Sequence, residues 1–264
     1  MQTRALLLIL LCFFMLLSTK ALAESSSPHS WGFKKGRNGM PAEAGQAYDG
    51  MIARYGAVYK GDPAKKDIYL TFDNGYENGY TTKVMDVLKK HHVPGTFFIT
   101  GHYLNTAPDL VKRMVKEGHT VGNHSWHHPD MTTITNEKIR EELEMVREKT
   151  EWLTGQKEMK YLRPPRGVFS ERTMAVAKEE GYQHIFWSLA FKDWVVDQQK
   201  GPQYSYNEVM KQIHPGAILL LHTVSKDNAD ALDSIITDLK KQGYTFKSLD
   251  DLMIGQQLPD RMLY

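Results

Sequence analysis

Apolar positions along the chain fall into two alternating kinds of block. Asp67-Ile68-Tyr69-Leu70-Thr71-Phe72-Asp73 is a strand pattern. Thr96 to Thr100 (TFFIT), His184 to Ser188 (HIFWS) and Ala217 to Leu221 (AILLL) repeat it, with shorter strands at Thr120-Val121-Gly122 and at Tyr244 to Phe246. Between them the apolar spacing lengthens to that of a helix. Asn78 to His91 carries Val84, Val87 and Leu88. Pro108 to Glu117 reads as a helix capped by Thr106 and stopped by Gly118. Ile139, Leu143, Val146 and Leu153 trace one face of a long charged helix ending at Gly155. Ser170 opens a helix that stops at Gly181, and Ser205 with Glu208 reads as a capping box for a helix running to Ile213. Ala229, Leu232, Ile236 and Leu239 mark a last long helix before Gly243. This regular alternation predicts a parallel α/β sheet or barrel.

The first residues follow other rules. Residues 24–66 are rich in Gly, Lys, Pro and Ser with scattered aromatics, and read as an irregular arm with a short helix near Ala47 to Tyr55. Ahead of them, Arg4 precedes the apolar run Ala5 to Leu17, and Ala21-Leu22-Ala23 has the small-x-small form of a cleavage site. That run is shorter than the roughly 20 residues a membrane span needs, so residues 1–23 read as a secretory signal peptide cleaved after Ala23. The alternative is an uncleaved anchor, because Lys20 sits close to the cut.

Composition then narrows the possibilities. With 41% hydrophobic and 24% charged residues, disorder and fibrous structure are excluded. A formal charge of +2 is too balanced for a chain that grips nucleic acid, so no such partner is expected. Losing residues 1–23 removes Arg4, Lys20 and Cys12, leaving 31 basic residues against 31 acidic ones and no cysteine. The exported chain must rest on its packed core, without disulfides.

The candidate chemistry sits where the strands end. Asp73-Asn74-Gly75 closes the first strand, although the same residues form ordinary turns. His124-Ser125-Trp126-His127-His128 offers two imidazoles four apart that can face one ion; spacing alone leaves His127 and His128 as rival partners of His124. Arg163-Pro164-Pro165-Arg166-Gly167 holds two cations on a stiff segment. Asp193-Trp194 lies beyond HIFWS, and His222 ends AILLL, as a core histidine or a catalytic one. In a barrel, such strand ends converge on one face.

Taken together, residues 67–255 resemble the polysaccharide deacetylase (NodB-homology) family of carbohydrate esterases. Thr71-Phe72-Asp73-Asn74-Gly75 stands for TFDDG and His124-Ser125-Trp126-His127-His128 for H-S/T-x-x-H. Arg163-Pro164-Pro165-Arg166-Gly167 stands for R-x-P-Y-G, Asp193-Trp194 for the end of D-x-x-D-W, and Leu220-Leu221-His222 for L-x-H. The resemblance implies a distorted (β/α) barrel of about seven parallel strands, a single domain with an N-terminal arm and a short tail at 256–264. It implies metal-assisted hydrolysis of an N-acetyl group on an amino sugar. Trp31-Gly32-Phe33-Lys34-Lys35 and Asp73-Asn74-Gly75-Tyr76-Glu77-Asn78-Gly79-Tyr80 bring the chain close to the group that deacetylates N-acetylmuramic acid in spore peptidoglycan, on the route to muramic δ-lactam. Peptidoglycan glycan strands are then the expected partner, and the cell wall or spore cortex the destination. No stable protein partner is expected, and the chain reads as a monomer.

By the same resemblance Asp73 is the general base, His124, His128 and Asn74 hold a divalent metal, and Arg163 pairs with Asp73. The Arg166 backbone N–H helps bind the oxyanion, and His222 is the general acid. Trp187 and Trp194 are expected to stack on sugar. Three positions depart from the family pattern. Asn74 replaces an aspartate and brings no charge, which predicts a weakly held ion, zinc or another first-row metal. Ala190 replaces the first Asp of D-x-x-D-W, so Asp193 is the expected partner of His222. Arg166 replaces an aromatic residue, and its guanidinium suits the lactyl carboxylate that distinguishes muramic acid from glucosamine. The competing readings are a deacetylase of chitin-like or acetylxylan substrates and a catalytically degenerate glycan-binding module.

Overall fold

The computed structural model describes residues 24–257; the expected signal segment, with Cys12, and the tail beyond Gln257 lie outside them. β2 (Asp67–Asn74) shows how the sheet divides its residues. Ile68, Leu70 and Phe72 join the core between sheet and helices, whereas Tyr69 joins a second cluster inside the barrel, as a period of two requires. β2 pairs in parallel with β3 (Gly95–Ile99) on one side and β8 (Ile218–His222) on the other. The sheet continues from β3 through β4 (Thr120–Asn123) and β5 (Tyr161–Leu162) to β7 (Gln183–His184), and β9 (Thr245–Phe246) joins the start of β2. These seven strands are all parallel, as expected.

The strand expected over His184–Ser188 is regular only at its start. The Ile185 N–H still donates to the Leu162 carbonyl of β5 at 2.8 Å. Further on, the Ser188 N–H donates to the Ile218 carbonyl at 3.0 Å, and the Leu220 N–H donates back to Leu189 at 2.9 Å. One irregular segment thus bonds both edges of the sheet and curls it into a distorted barrel.

The helices α2 (Thr81–His91), α3 (Gly101–Thr106), α4 (Pro108–Lys116), α5 (Asn136–Thr154), α6 (Glu171–Glu179), α7 (Pro202–Gln212) and α8 (Lys226–Lys241) interleave with the strands. Two expected caps are corrected. Thr106 does not cap α4: it ends α3, which Thr100 caps, and its hydroxyl bonds back to the His102 carbonyl. Ser205 is buried inside α7, which begins three residues earlier. There Gly201 and Lys200 give their N–H groups to the Asp227 carboxylate, and Pro202 occupies the first turn. A further helix, α9 (Leu249–Gln257), packs Leu249, Leu252 and Met253 against the inner cluster.

The arm is seated on the barrel. β1 (His29–Ser30) runs antiparallel to β6 (Val168–Phe169), and α1 (Gln46–Tyr55) contributes Ile52 and Tyr55 to a third cluster with Trp31, Phe169 and Phe186. Val58 then bridges to Ile185 and Lys60 to Ala217, covering the irregular edge.

Candidate active site

Strand register assembles the site at the C-terminal ends of the strands. His222 of β8, Asp73 of β2 and Phe98 of β3 share one row, and Gly122 of β4 is next in it. A Cβ at Gly122 would lie 2.7 Å from the Phe98 ring, so glycine is what gives that ring room. The fully buried Arg163 rests on the ring face, its Cζ 4.2 Å from the centre. Nη1 donates to Asp73 Oδ1 at 2.8 Å and Nε donates to the Ile185 carbonyl at 3.0 Å. Burial pushes the Asp73 carboxyl up, but Arg163, with His124 and His222, outweighs it and holds Asp73 below the usual carboxylate range.

His124 borders Asp73 on the other side. Its Nδ1 is 2.8 Å from the Arg163 carbonyl, a contact that needs an N–H, so the lone pair is on Nε2. That Nε2 lies 3.6 Å from Asp73 Oδ2. Burial lowers the His124 pKa and keeps the ring neutral. The next residues make a tight left-handed turn, with φ of 62° at Ser125 and 57° at His128. Asn123 Oδ1 and Ser125 Oγ hold it by accepting the Ser125 and His128 N–H groups at 2.9 and 3.0 Å. The turn brings the His128 ring 4.8 Å from that of His124. Desolvation and the neighbouring His124 lower the His128 pKa too. His127 turns away, with Nδ1 2.6 Å from Glu142, so geometry pairs His128 with His124 where spacing could not choose.

On the neighbouring strand β8, His222 Nδ1 lies 2.7 Å from Asp193 Oδ1, and the His222 N–H donates to Asp193 Oδ2 at 2.9 Å. The Asn228 amide also donates to Asp193 Oδ2. Burial would lower the imidazole pKa, but the Asp193 carboxylate overrides it and raises it above the ordinary value. Asp193 therefore stands where Ala190 left His222 without its usual partner.

Asp73, His124, His128 and His222 line one cavity of about 960 Å³, walled by Trp126, Trp187, Trp194 and Arg166. The Trp194 ring centre is 5.4 Å from that of His222. Arg166 is more than half exposed at the rim, with Nη2 3.8 Å from Asp130. Arg163 and Asp193 stand behind this wall rather than in it.

Asn74 is placed differently. It does not line the cavity, because its side chain leaves β2 on the face opposite Asp73. Its Nδ2 donates to Thr223 Oγ1 at 2.7 Å, and the Thr223 hydroxyl is 2.8 Å from that of Thr81. Tyr103 and Thr81 in turn donate to Glu77. This chain fixes the amide and leaves Asn74 Oδ1 buried without a partner. Among the described residues, no three His, Cys, Asp or Glu side chains cluster as a metal site. The expected Asn74 ligand is therefore corrected: its orphaned oxygen lies on the other face of β2, and the donors left for a weakly held divalent ion are two neutral imidazoles, one with a free Nε2 lone pair.

Sequence reasoning missed Phe98, Asn228, Thr223 and Thr81. Each acts through another residue, and none belongs to a motif; the only signal was position, in a buried strand, at the start of α2 or shortly after His222.

The fold and this site define the class: the chain belongs to the polysaccharide deacetylase family, whose pattern matches residues 60–185, and is a carbohydrate esterase of family 4. Deacetylases of that family are generally metal-dependent. Among its relatives, the peptidoglycan-N-acetylmuramic acid deacetylase PdaA of Bacillus subtilis is 56% identical over 241 residues, 91% of this chain and 92% of that one. An uncharacterized 30.6 kDa protein of Geobacillus stearothermophilus is 62% identical over 96% of each chain. The solved structure of B. subtilis PdaA, a family 4 carbohydrate esterase, superposes with a TM-score of 0.87 at 58% identity, covering 88% of this chain and 99% of that one.

Proposed function

We propose that this protein hydrolyses the N-acetyl group of N-acetylmuramic acid residues in peptidoglycan glycan strands, on the route to muramic δ-lactam in spore cortex. The observation that carries the reading is a pair of charge-held groups side by side in one cavity, Asp73 on Arg163 and His222 on Asp193. The muramic-acid activity of the 56% identical relative supports the substrate. Export rests on residues 1–23, read as a signal peptide cleaved after Ala23.

The chemistry divides between the two sides. Asp73 accepts the proton of the attacking water. A carboxylate held so far below neutrality is a weak base, so the water must itself be made more acidic. His124 and His128 would hold a divalent ion, which when bound would supply that acidity, lowering the pKa of water to about 7 in favourable sites, and would polarise the acetyl carbonyl. His222, kept protonated by Asp193, gives its proton to the leaving nitrogen as the C–N bond breaks. Trp187 and Trp194 offer flat faces to the sugar, and Arg166 at the rim pairs with the lactyl carboxylate.

Acetate release tests this on glycan strands stripped of peptides and on chitin oligomers. The parent should release acetate from the glycan strands, Asp73→Ala should not, and Arg166→Tyr should lose the preference for muramyl over glucosaminyl units. Equal release from both substrates by the parent contradicts the muramyl assignment.

A further inference from the structure

We infer that Trp31, on the N-terminal arm, is a positioning residue for the substrate wall of the cleft, so that the arm sets how tightly the glycan strand is held. This rests on the glycan-cleft reading above. Trp31 lies outside the span that matches the family pattern. It does not line the cavity, yet both of its hydrogen bonds end on residues that do. Its backbone N–H donates to the Gly167 carbonyl at 2.8 Å, and its indole Nε1 donates to the Trp187 carbonyl at 3.0 Å.

The segment it holds is one that would not hold itself. Arg166 and Gly167 are consecutive left-handed residues, with φ of 58° and 67°. For arginine that conformation is strained unless its surroundings impose it. Gly167 is sandwiched: a Cβ there would meet the Trp187 ring at 2.8 Å and the Trp31 Cβ at 3.1 Å. Next to it the Trp31 ring stacks on buried Phe186, 4.5 Å between centres. Just downstream, β1 pairs Ser30 with Val168 and His29 with Phe169. The arm therefore grips the arginine loop and the Trp187 segment together, and these two carry Arg166 and Trp187 into the cleft.

The proton-transfer groups have their main supports elsewhere. Arg163 is held by Asp73, by the Ile185 carbonyl and by the Phe98 face, and reaches the gripped segment only through a 3.4 Å bond to the Phe186 carbonyl and an edge of Trp187. His222 is held by Asp193. Loosening Trp31 should thus weaken sugar binding and spare the chemical step.

The test combines amide hydrogen exchange with kinetics on peptide-free glycan strands, using the full chain and its Trp31→Ala and Trp31→Phe variants. Trp31→Ala should speed exchange over 166–169 and 186–187 but not over 218–222. It should raise KM about tenfold while kcat changes less than about threefold. Trp31→Phe keeps the stack and loses the indole donor, and should recover most of the KM. Parental exchange in the arginine loop, or parental KM alongside a lowered Tm, overturns the inference. Arg166→Gln, run in parallel, separates the readings: if it leaves KM unchanged while Trp31→Ala raises it, Arg166 is not the carboxylate reader and the positioning role stands. Should the parent release no acetate, the deacetylase reading fails, and strand Kd takes the place of KM with the same expected and overturning results.

Discussion

Asp73 and Asp193 are both buried carboxylates at the barrel's C-terminal face, and each is matched with a different cation. Asp73 meets a guanidinium that never loses its proton, so the pair stays charged and the carboxylate is held down. Asp193 meets an imidazole that titrates, so the carboxylate lifts its partner instead. One half of the cleft is built to remain ionised, the other to move a proton. The backbones reflect this. The Asp73 side comes from the long strands β2 and β3 with a stacked Arg163 behind it. Asp193 comes from the irregular stretch after the barrel closes, tied down by Asn228 and the His222 N–H.

The largest effect should come from splitting the permanent pair. Arg163→Leu leaves Asp73 buried without its cation and should cost about 3–5 kcal/mol in urea unfolding, with activity lost. Adding Asp73→Leu to it should recover most of the stability but none of the activity. A loss under about 1 kcal/mol in the single variant would mean that Arg163 is not the counter-charge. A smaller effect concerns the ion. Asn74→Asp adds a negative charge behind the base side and should tighten divalent-metal binding by about tenfold or more in a direct titration. Unchanged affinity would mean that a charge at position 74 does not reach the ion.

The smallest effect is on stability against pH in metal-free protein, and the halves should differ in sign. The depressed Asp73 adds stability above its ordinary value of 3.8, which is lost as pH falls through its folded pKa. The raised His222 adds stability below 6.5, which is lost as pH rises through its folded pKa. Asp73→Asn should flatten chiefly the acid side of the unfolding midpoint curve, with a smaller loss on the alkaline side because Asp73 also raises the His222 pKa, and Asp193→Asn chiefly the neutral-to-alkaline side.

Much of this was legible in the chain. β2, β3 and β8 are apolar runs closed by polar residues, so both the strands and the residues at their ends stood out. β5, β6 and β7 are two-residue strands, too short to show a period, and the barrel closure through Ser188 and Leu189 has no sequence signal at all. The Ser205 cap failed because a distant carboxylate, Asp227, serves the start of α7. The arm read as irregular because its order comes from contacts made across the fold, Trp31 with Phe186 and Trp187. The motif residues and their charged partners Arg163 and Asp193 were visible one by one; the neighbours that hold those partners, Phe98 and Asn228, were not, because they meet them only in three dimensions.

The division of labour across the cleft is tested most directly by the pH dependence of kcat/KM for acetate release, parent against Asp193→Asn. The account predicts a bell whose alkaline limb moves to lower pH in the variant, because His222 loses the carboxylate that keeps it protonated, while the acid limb stays in place. An alkaline limb that does not move would contradict the assignment of His222 on Asp193 as the acid.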